Sequence, residues 1–464
     1  MKRNLLYVFA DQWRYHAVGA VGQDPVQTPN IDGFAAQSMC CDQAVSTYPL
    51  CSPHRAALLT GRYPLSCGMW TNCKIGLSEK LMLHDQEVLI SDVLHDAGYD
   101  TAYVGKWHLD SSELNFSAHP ESGARGWDAY TPPGDRRHHF DFWYSYGAMD
   151  DHLDPHYWMD DPTQLRPGLW SVEHETDVAL EYLARRQESG TQRPFCMFLS
   201  WNPPHPPYDQ VPQRYLDLYP GECDAFRANV PSSMRDDPAY HAAMRQYFAA
   251  VSGVDDQFGR ILDFLRANGL DDDTLVVLSS DHGDCLGSHG VYGKNIWWEE
   301  SIRIPLYVRG PGVKAGHTDS LVVSCDHMPT LLDLLDVPIP DTVEGLSHAA
   351  VLRGASNQFP IRTHAFHCMI PGMPETVQEY TRRGLDNRGF GWRAVRTLRH
   401  TYVVDNGTVP EAEQKRWLFD NETDPFQLHG MELTPSDPLC REWDDILRSY
   451  LSSQRDGFLL EVPR

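Results

Sequence analysis

Cys51-Ser52-Pro53-His54-Arg55-Ala56-Ala57-Leu58-Leu59-Thr60-Gly61-Arg62 places a thiol at the mouth of a short helix whose two ends are written into the sequence. Ser52 is suited to cap the helix and Pro53 to its first turn. The apolar run from Ala56 to Leu59 continues it, and Gly61 supplies the left-handed residue that closes it. Residues four apart share a helical face, so Arg55 is predicted beside Cys51. Free amide N–H groups and the positive end of the helix dipole then point at whatever Cys51 handles. The stretch predicts an anion site with a reactive group in it.

Working outward, the chain repeats one pattern, a buried apolar run that stops abruptly at polar residues. Asn4 to Ala10 reads as a parallel strand ending at Asp11-Gln12. Alone, Asp11 would read as a turn cap. Leu89 to Gly98 carries apolar residues at helical spacing, and Thr101 to Val104 reads as a strand that runs into Gly105-Lys106-Trp107-His108. Residues two apart on an extended chain project together, so Lys106 and His108 are predicted to share a side. Phe195 to Trp201 is a further strand, and it delivers Asn202-Pro203-Pro204-His205-Pro206-Pro207-Tyr208, whose prolines stiffen the loop around His205. A helix over residues 239 to 268 precedes the strand Thr274 to Ser279, which ends at Asp281-His282-Gly283-Asp284. Open α/β sheets place ligands beyond the C-terminal ends of their strands, which brings Asp281-His282 beside Asp11-Gln12.

Cys51-x-Pro53-x-Arg55 followed by Thr60-Gly61-Arg62 resembles the signature of the formylglycine-dependent type I sulfatases, a family of the alkaline phosphatase superfamily. Gly105-Lys106-Trp107-His108-Leu109, the Pro-His-x-Pro loop at His205, and residues 290 to 305 with Lys294 resemble the same family at the expected places. The resemblance implies that a formylglycine-generating enzyme oxidises Cys51 to Cα-formylglycine, whose hydrate provides the nucleophilic hydroxyl. It implies a divalent metal held by Asp11, Gln12, Cys51, Asp281 and His282, a set of carboxylates with a carboxamide and an imidazole that suits Ca2+ first, with Mg2+ or Mn2+ also compatible. It makes Arg55, Lys106 and Lys294 the cations that neutralise the sulfuryl oxygens. His205 becomes the acid that protonates the departing alcohol, and His108 the base that later deprotonates the second hydroxyl. Gln12 stands where the family carries a second acid. The Asp-Gln pair is familiar from choline sulfatases and phosphonate monoester hydrolases, so a phosphonate monoester or phosphodiester hydrolase is the alternative reading. A catalytically inactive protein that only binds sulfated glycans is the alternative of another class, and the intact Cys51, metal pairs, lysines and histidines speak against it.

The fold implied is α/β: a large mixed, mostly parallel sheet flanked by helices, alkaline-phosphatase-like, with a smaller C-terminal antiparallel sheet plus a helix. The 464 residues exceed one ordinary core. They divide into a catalytic domain over 1–350 and a C-terminal α+β subdomain over 351–464, where residues 391 to 397, 400 to 404 and 417 to 420 read as short antiparallel strands. Residues 437 to 451 read as the last helix, and Pro338 to Gly345 as a linker.

A net charge of −25 argues against nucleic acid and anionic membranes as partners. No apolar stretch is long enough to span a bilayer. The fitting substrate is a small sulfated molecule, a mono- or oligosaccharide. Eleven cysteines without a paired spacing fit reduced, buried thiols. The sequence as it stands predicts a cytoplasmic protein, or a periplasmic or secreted one if a signal peptide has been removed. Trp70-Thr71-Asn72 is a candidate pocket wall, with Asn72 touching substrate. The aromatic and basic residues 126 to 158 read as an insertion over the active-site end of the sheet, with Arg136 and Arg137 as candidate sugar contacts.

Overall fold

Eight strands form the main sheet: β1 (Asn4–Ala10), β2 (Met39–Val45), β3 (Asp100–Lys106), β4 (Phe142–Tyr146), β5 (Phe195–Trp201), β6 (Thr274–Ser280), β7 (Leu306–Arg309) and β8 (Gly316–Val323). The computed structural model describes residues 3–223, 225–355 and 361–460. The spatial order is β4-β3-β5-β1-β6-β7-β2-β8, and only β7 runs against its neighbours. The sheet is therefore mostly parallel, with β1 near its middle.

Alternate residues of β1 explain its unbroken apolar run. Leu6 and Val8 face one core, shared with the long helices Ser171–Ser189 and Pro238–Ala267. Leu5, Tyr7 and Phe9 face the other, shared with helices Cys51–Thr60, Ile90–Asp96 and His327–Leu334. Both faces are covered, as a parallel sheet requires. Gly105, with φ +98°, lets β3 pass β5 closely, because a Cβ there would lie 2.1 Å from the Ser200 carbonyl oxygen. The next residue is Lys106, so this close approach helps set its position.

A second sheet holds β9 (Ala365–Met369), β10 (Trp392–Arg396), β11 (His400–Asp405), β12 (Lys415–Asp420) and β13 (Met431–Glu432), all antiparallel. The helix Pro438–Ser453 covers it, with Tyr450 stacked on Phe366 at 4.0 Å between ring centroids. Its edge strand β9 leads directly to the reactive helix. Cys368 donates its amide to the Thr47 carbonyl (3.2 Å), and Ile370 donates to the Tyr48 hydroxyl (2.8 Å).

A short helix, Pro29–Ala35, leads into β2. One reading of the sequence needs correction. The 126–158 insertion is not only a cover, because it contributes β4, which extends the main sheet at its edge. None of the eleven cysteines is in a disulfide. Among the described residues no helix is long and apolar enough to cross a membrane.

Candidate active site

The parallel topology gathers the candidate residues at one end of the main sheet. Asp11 follows β1, Lys106 closes β3, Asn202 and His205 follow β5, and Asp281 and His282 follow β6. Together with the start of the Cys51–Thr60 helix they surround a cavity of about 1010 Å³, whose walls include Cys51, Lys106, His108, His205 and Lys294.

Cys51 is the first residue of its helix, after Leu50 in extended conformation, and the amide of Gly61 (φ +65°) closes the other end on the Ala57 carbonyl at 3.0 Å. The expected cap by Ser52 does not form. Ser52 lies inside the first turn, where its Oγ donates to the His108 carbonyl (2.6 Å) and accepts from the Cys73 amide (3.1 Å). It ties the helix to two loops instead.

Asp11, Cys51, Asp281 and His282 are fully buried, and one donor atom from each lies within 4.8 Å of the others. Cys51 Sγ is 3.6 Å from Asp11 Oδ1 and 3.5 Å from His282 Nε2, which is 3.5 Å from Asp281 Oδ1. His282 Nδ1 faces the Gly283 carbonyl at 3.1 Å, so it carries the proton and leaves the Nε2 lone pair turned to the cluster. Asp281 Oδ2 is buried without a hydrogen-bond partner, its nearest cation Arg55 Nη2 at 3.3 Å. Burial and the charge of Asp11 push the Asp281 carboxyl up against the pull of His282 and Arg55. Carboxylates crowded this way, with an imidazole lone pair and space between the donors, fit one divalent cation.

Gln12 adjoins this cluster, its backbone amide donating to Asp281 Oδ1 at 3.0 Å. Its Oε1 accepts from Lys294 Nζ (2.6 Å) and its Nε2 donates to Asp284 Oδ2 (2.6 Å), so it bridges a cation to a carboxylate. Asp284 also accepts from the amides of Leu286 and Gly293, which fixes the loop carrying Lys294.

Lys106 and Lys294 flank the thiol at 4.0 and 3.4 Å from Sγ. Lys106 is anchored by Asp11 (2.7 Å) and Asn202 (3.0 Å). Burial and Asp11 oppose ionisation of Cys51, but the two lysines and His108 outweigh them and hold the thiol well below its usual range. Arg55 lies beneath the cavity rather than in it. Its guanidinium meets Asp11 (3.1 Å), Asp281 (3.3 Å), the Lys106 carbonyl and Ser200 Oγ (both 2.7 Å), while its buried Nε has no partner. These contacts hold the two carboxylates in place.

The histidines differ in protonation. His108 Nε2 lies 2.9 Å from the Cys73 carbonyl and must carry the proton, which leaves Nδ1, buried and unbonded, as a lone pair beside Cys51. Burial pushes His108 down, so it is neutral. His205 Nδ1 instead donates to the Pro206 carbonyl (2.7 Å) and lies 3.3 Å from Asp150 Oδ1. Burial and both lysines depress it, but Asp11 and Asp150 win and raise it above the usual imidazole range.

Asn72 lines the cavity and accepts the Ser52 amide at 2.9 Å. Arg136 and Arg137 do not line it. Arg136 binds Asp85, Asp110 and the Leu83 carbonyl, and Arg137 binds Asp160 and the Thr131 carbonyl while lying over Trp143. Both are spent on holding the insertion together. The sequence reading passed over Lys74, Trp127, Asp150 and Asn202, all at or beside the cavity. Lys74 had a signal, standing two residues after Asn72 in the same wall.

A parallel sheet whose strand ends hold two buried carboxylates and an imidazole, next to a reactive residue at a helix start between two lysines, defines a metal-dependent ester hydrolase of alkaline-phosphatase type. The profile of the sulfatase family matches residues 3–337, and the chain belongs to that family. It is 36% identical to an endo-4-O-sulfatase of Bacteroides thetaiotaomicron, over 96% of this chain and 92% of that one. It is 31% identical to an ulvan-active sulfatase of Formosa agariphila, over 98% and 82%. A solved structure from work on the metabolism of multiple glycosaminoglycans by Bacteroides thetaiotaomicron superposes with a TM-score of 0.87 at 34% identity, covering 98% of this chain and 97% of that one.

Proposed function

We propose that the protein hydrolyses a sulfate monoester of a sulfated carbohydrate, using residue 51 after its conversion to formylglycine. The observation that carries the reading is the setting of Cys51. Its Sγ marks where the hydroxyls of the hydrated aldehyde would stand, at a helix start, between Lys106 and Lys294, against the Asp11, Asp281 and His282 cluster. Names of relatives that act as an endo-4-O-sulfatase and on ulvan support a saccharide as the alcohol.

Lys106 and Lys294 would balance charge on the sulfuryl oxygens in a site already organised for it, so little reorientation is needed in the transition state. A divalent cation held by Asp11, Asp281, His282 and residue 51, with Ca2+ proposed first and Mg2+ or Mn2+ as alternatives, would add Lewis-acid polarisation. His205, its affinity for a proton raised and its Nδ1 engaged, presents Nε2 to the leaving oxygen and donates its proton there. His108, neutral with a free Nδ1, takes a proton from the remaining hydroxyl of residue 51. Formylglycine at this position requires the generating enzyme during maturation.

The test is sulfate release from a panel of sulfated mono- and disaccharides, with nitrophenyl sulfate and phenyl phosphonate as comparators. Peptide mass spectrometry reads residue 51 in the same preparation. Turnover of a sugar sulfate with formylglycine at 51 supports the reading. Faster turnover of phenyl phosphonate than of any sulfate ester would move the protein to the phosphonate hydrolases, and full activity with only unmodified cysteine would remove the mechanism.

A further inference from the structure

Lys74 is a buried ammonium without a counter-charge. It is 5% exposed and lines the cavity that holds Cys51. Its Nζ meets only the Met373 Sδ at 3.6 Å and the face of Trp127, 4.6 Å from the ring centroid. A thioether is a weak acceptor and a ring face a partial one, and neither replaces water around a cation. Among the described residues no carboxylate pairs with Nζ. Burial pushes the ammonium down to about 8, more than the opposing influence of Cys51, Cys73 and, least, Glu375 makes up. Buried charges are ordinarily paired, so an unpaired one facing a substrate cavity asks for its partner from the ligand.

Its position is not incidental. Residues 72 to 74 are fastened to the reactive helix and the His108 loop: Asn72 Oδ1 accepts the Ser52 amide (2.9 Å), the Cys73 amide donates to Ser52 Oγ (3.1 Å), and the Cys73 carbonyl meets His108 Nε2 (2.9 Å). Asn115 Nδ2 donates to the Lys74 carbonyl at 2.9 Å. Lys74 is thus held at a fixed offset from residue 51. It is also distinct from the cations assigned to the scissile sulfate, since Lys106 is tied to Asp11 and Asn202 and Lys294 to Gln12. Two of the acids that line the same cavity are already engaged. Asp150 serves His205, and Asp128 is taken by His156 and the amides of Gly147 and Ala148. Arg125 lines the same cavity, two residues before Trp127.

Resting on the sulfatase reading, we propose that Lys74 is a specificity residue that receives a second anionic group of the substrate, a carboxylate or a further sulfate, so that the protein selects a saccharide carrying at least two negative charges. The net charge of −25 does not oppose this, because the contact is short-range and shielded from the bulk surface.

The test compares three disaccharides that share one sulfated sugar, in which the second sugar is neutral, bears a uronate carboxylate, or bears a sulfate. The wild-type protein is expected to favour one or both charged forms. A charge-assisted contact of this kind is worth about 10- to 100-fold in kcat/KM. Lys74→Met should collapse that preference towards unity, and Lys74→Arg should restore much of it. Which charged disaccharide loses its advantage identifies the anion as carboxylate or sulfate. A preference that survives in Lys74→Met, or that is absent from the wild type, overturns the proposal. Calorimetric binding of the same three disaccharides to Cys51→Ala protein, with and without Lys74→Met, separates this from the catalytic reading. Absent turnover with Lys74-dependent binding of the charged forms would sink the sulfatase reading alone, whereas turnover with Lys74-independent binding would sink the specificity role alone.

Discussion

His205 Nδ1 stands 3.3 Å from Asp150 Oδ1 while also donating to the Pro206 carbonyl. The pair fixes the tautomer of His205 and raises its affinity for a proton, and the same contact lowers Asp150 to about 2 against the burial that opposes it. A general acid contributes about 10²- to 10⁴-fold when the departing oxygen needs its proton. A sugar alkoxide needs it and nitrophenolate does not. His205→Ala is therefore expected to lower kcat/KM by about that range for a sugar sulfate and far less for nitrophenyl sulfate. Asp150→Asn weakens one of the two influences that raise His205, the other being Asp11, so the alkaline limb of kcat/KM for the sugar sulfate should move to lower pH. Equal losses on both esters would exclude His205 as the leaving-group acid, and Lys294 would become the better candidate.

His108 calls for the opposite pattern. Its Nε2 proton is held by the Cys73 carbonyl and its Nδ1 lone pair is left beside residue 51. A base acting on residue 51 after the alcohol has left is indifferent to that alcohol. His108→Ala should lower kcat for sugar and nitrophenyl esters alike, measured by steady-state rates on one preparation. A loss confined to the sugar ester would place His108 on the leaving-group side instead.

Arg55 links stability to the metal site. It is 1% exposed, and two of its four partners are Asp11 and Asp281. Arg55→Met would leave two buried carboxylates facing each other with less compensation, and breaking such a buried ion pair typically costs about 3–5 kcal/mol. The variant should denature at lower urea concentration, and its loss should be larger in the presence of a chelator than in added Ca2+. Chelation of the wild-type protein should abolish turnover and lower Tm together. Asp281→Ala should reduce the bound metal found by elemental analysis, and unchanged metal content in that variant would refute the site.

What the sequence made legible was the part fixed by local pattern. The central strands β1, β5 and β6 are unbroken apolar runs that end at polar residues, so their ends, and with them Asp11, His205 and Asp281, could be placed before any coordinates. The strands β2, β4, β7 and β9 were not legible. β2 begins with Met39-Cys40-Cys41-Asp42, and β4 lies inside an aromatic stretch that also suits a surface loop, so each is a strand because of its neighbours in the sheet. The same limit applies to Arg55 and Arg136. Spacing placed Arg55 near Cys51, but only the fold shows its guanidinium against Asp11 and Asp281. Composition made Arg136 a sugar contact, but the fold supplies Asp85 and Asp110 as its partners. Lys74 escaped for the reverse reason: its place two residues after Asn72 marks the wall, but only the fold shows that no carboxylate among the described residues pairs with it.

Asp326 makes an acid-stability test away from the catalytic residues. Its carboxylate accepts from Arg362 Nε (2.9 Å) and Nη2 (2.5 Å), from the amides of Val323 (3.0 Å) and Leu346 (2.8 Å), and faces His348 Nε2 at 3.2 Å. It fastens the end of β8 to residues 346 to 348 and to the segment before β9. Burial would raise it, but Arg362 and His348 lower it to about 2. A carboxyl depressed on folding stabilises the protein above its unfolded value near 3.8, and that contribution is lost as pH falls through the folded value. A shift of this size corresponds to about 2 kcal/mol. Asp326→Asn also leaves Arg362 without its partner, so the variant should be less stable at neutral pH by about 2–4 kcal/mol. The difference between wild type and variant, read from denaturant midpoints, should be constant above about pH 4 and should narrow between about pH 4 and pH 2. A difference that stays the same down to pH 2 would show that the Asp326 charge does not contribute to holding the two sheets together.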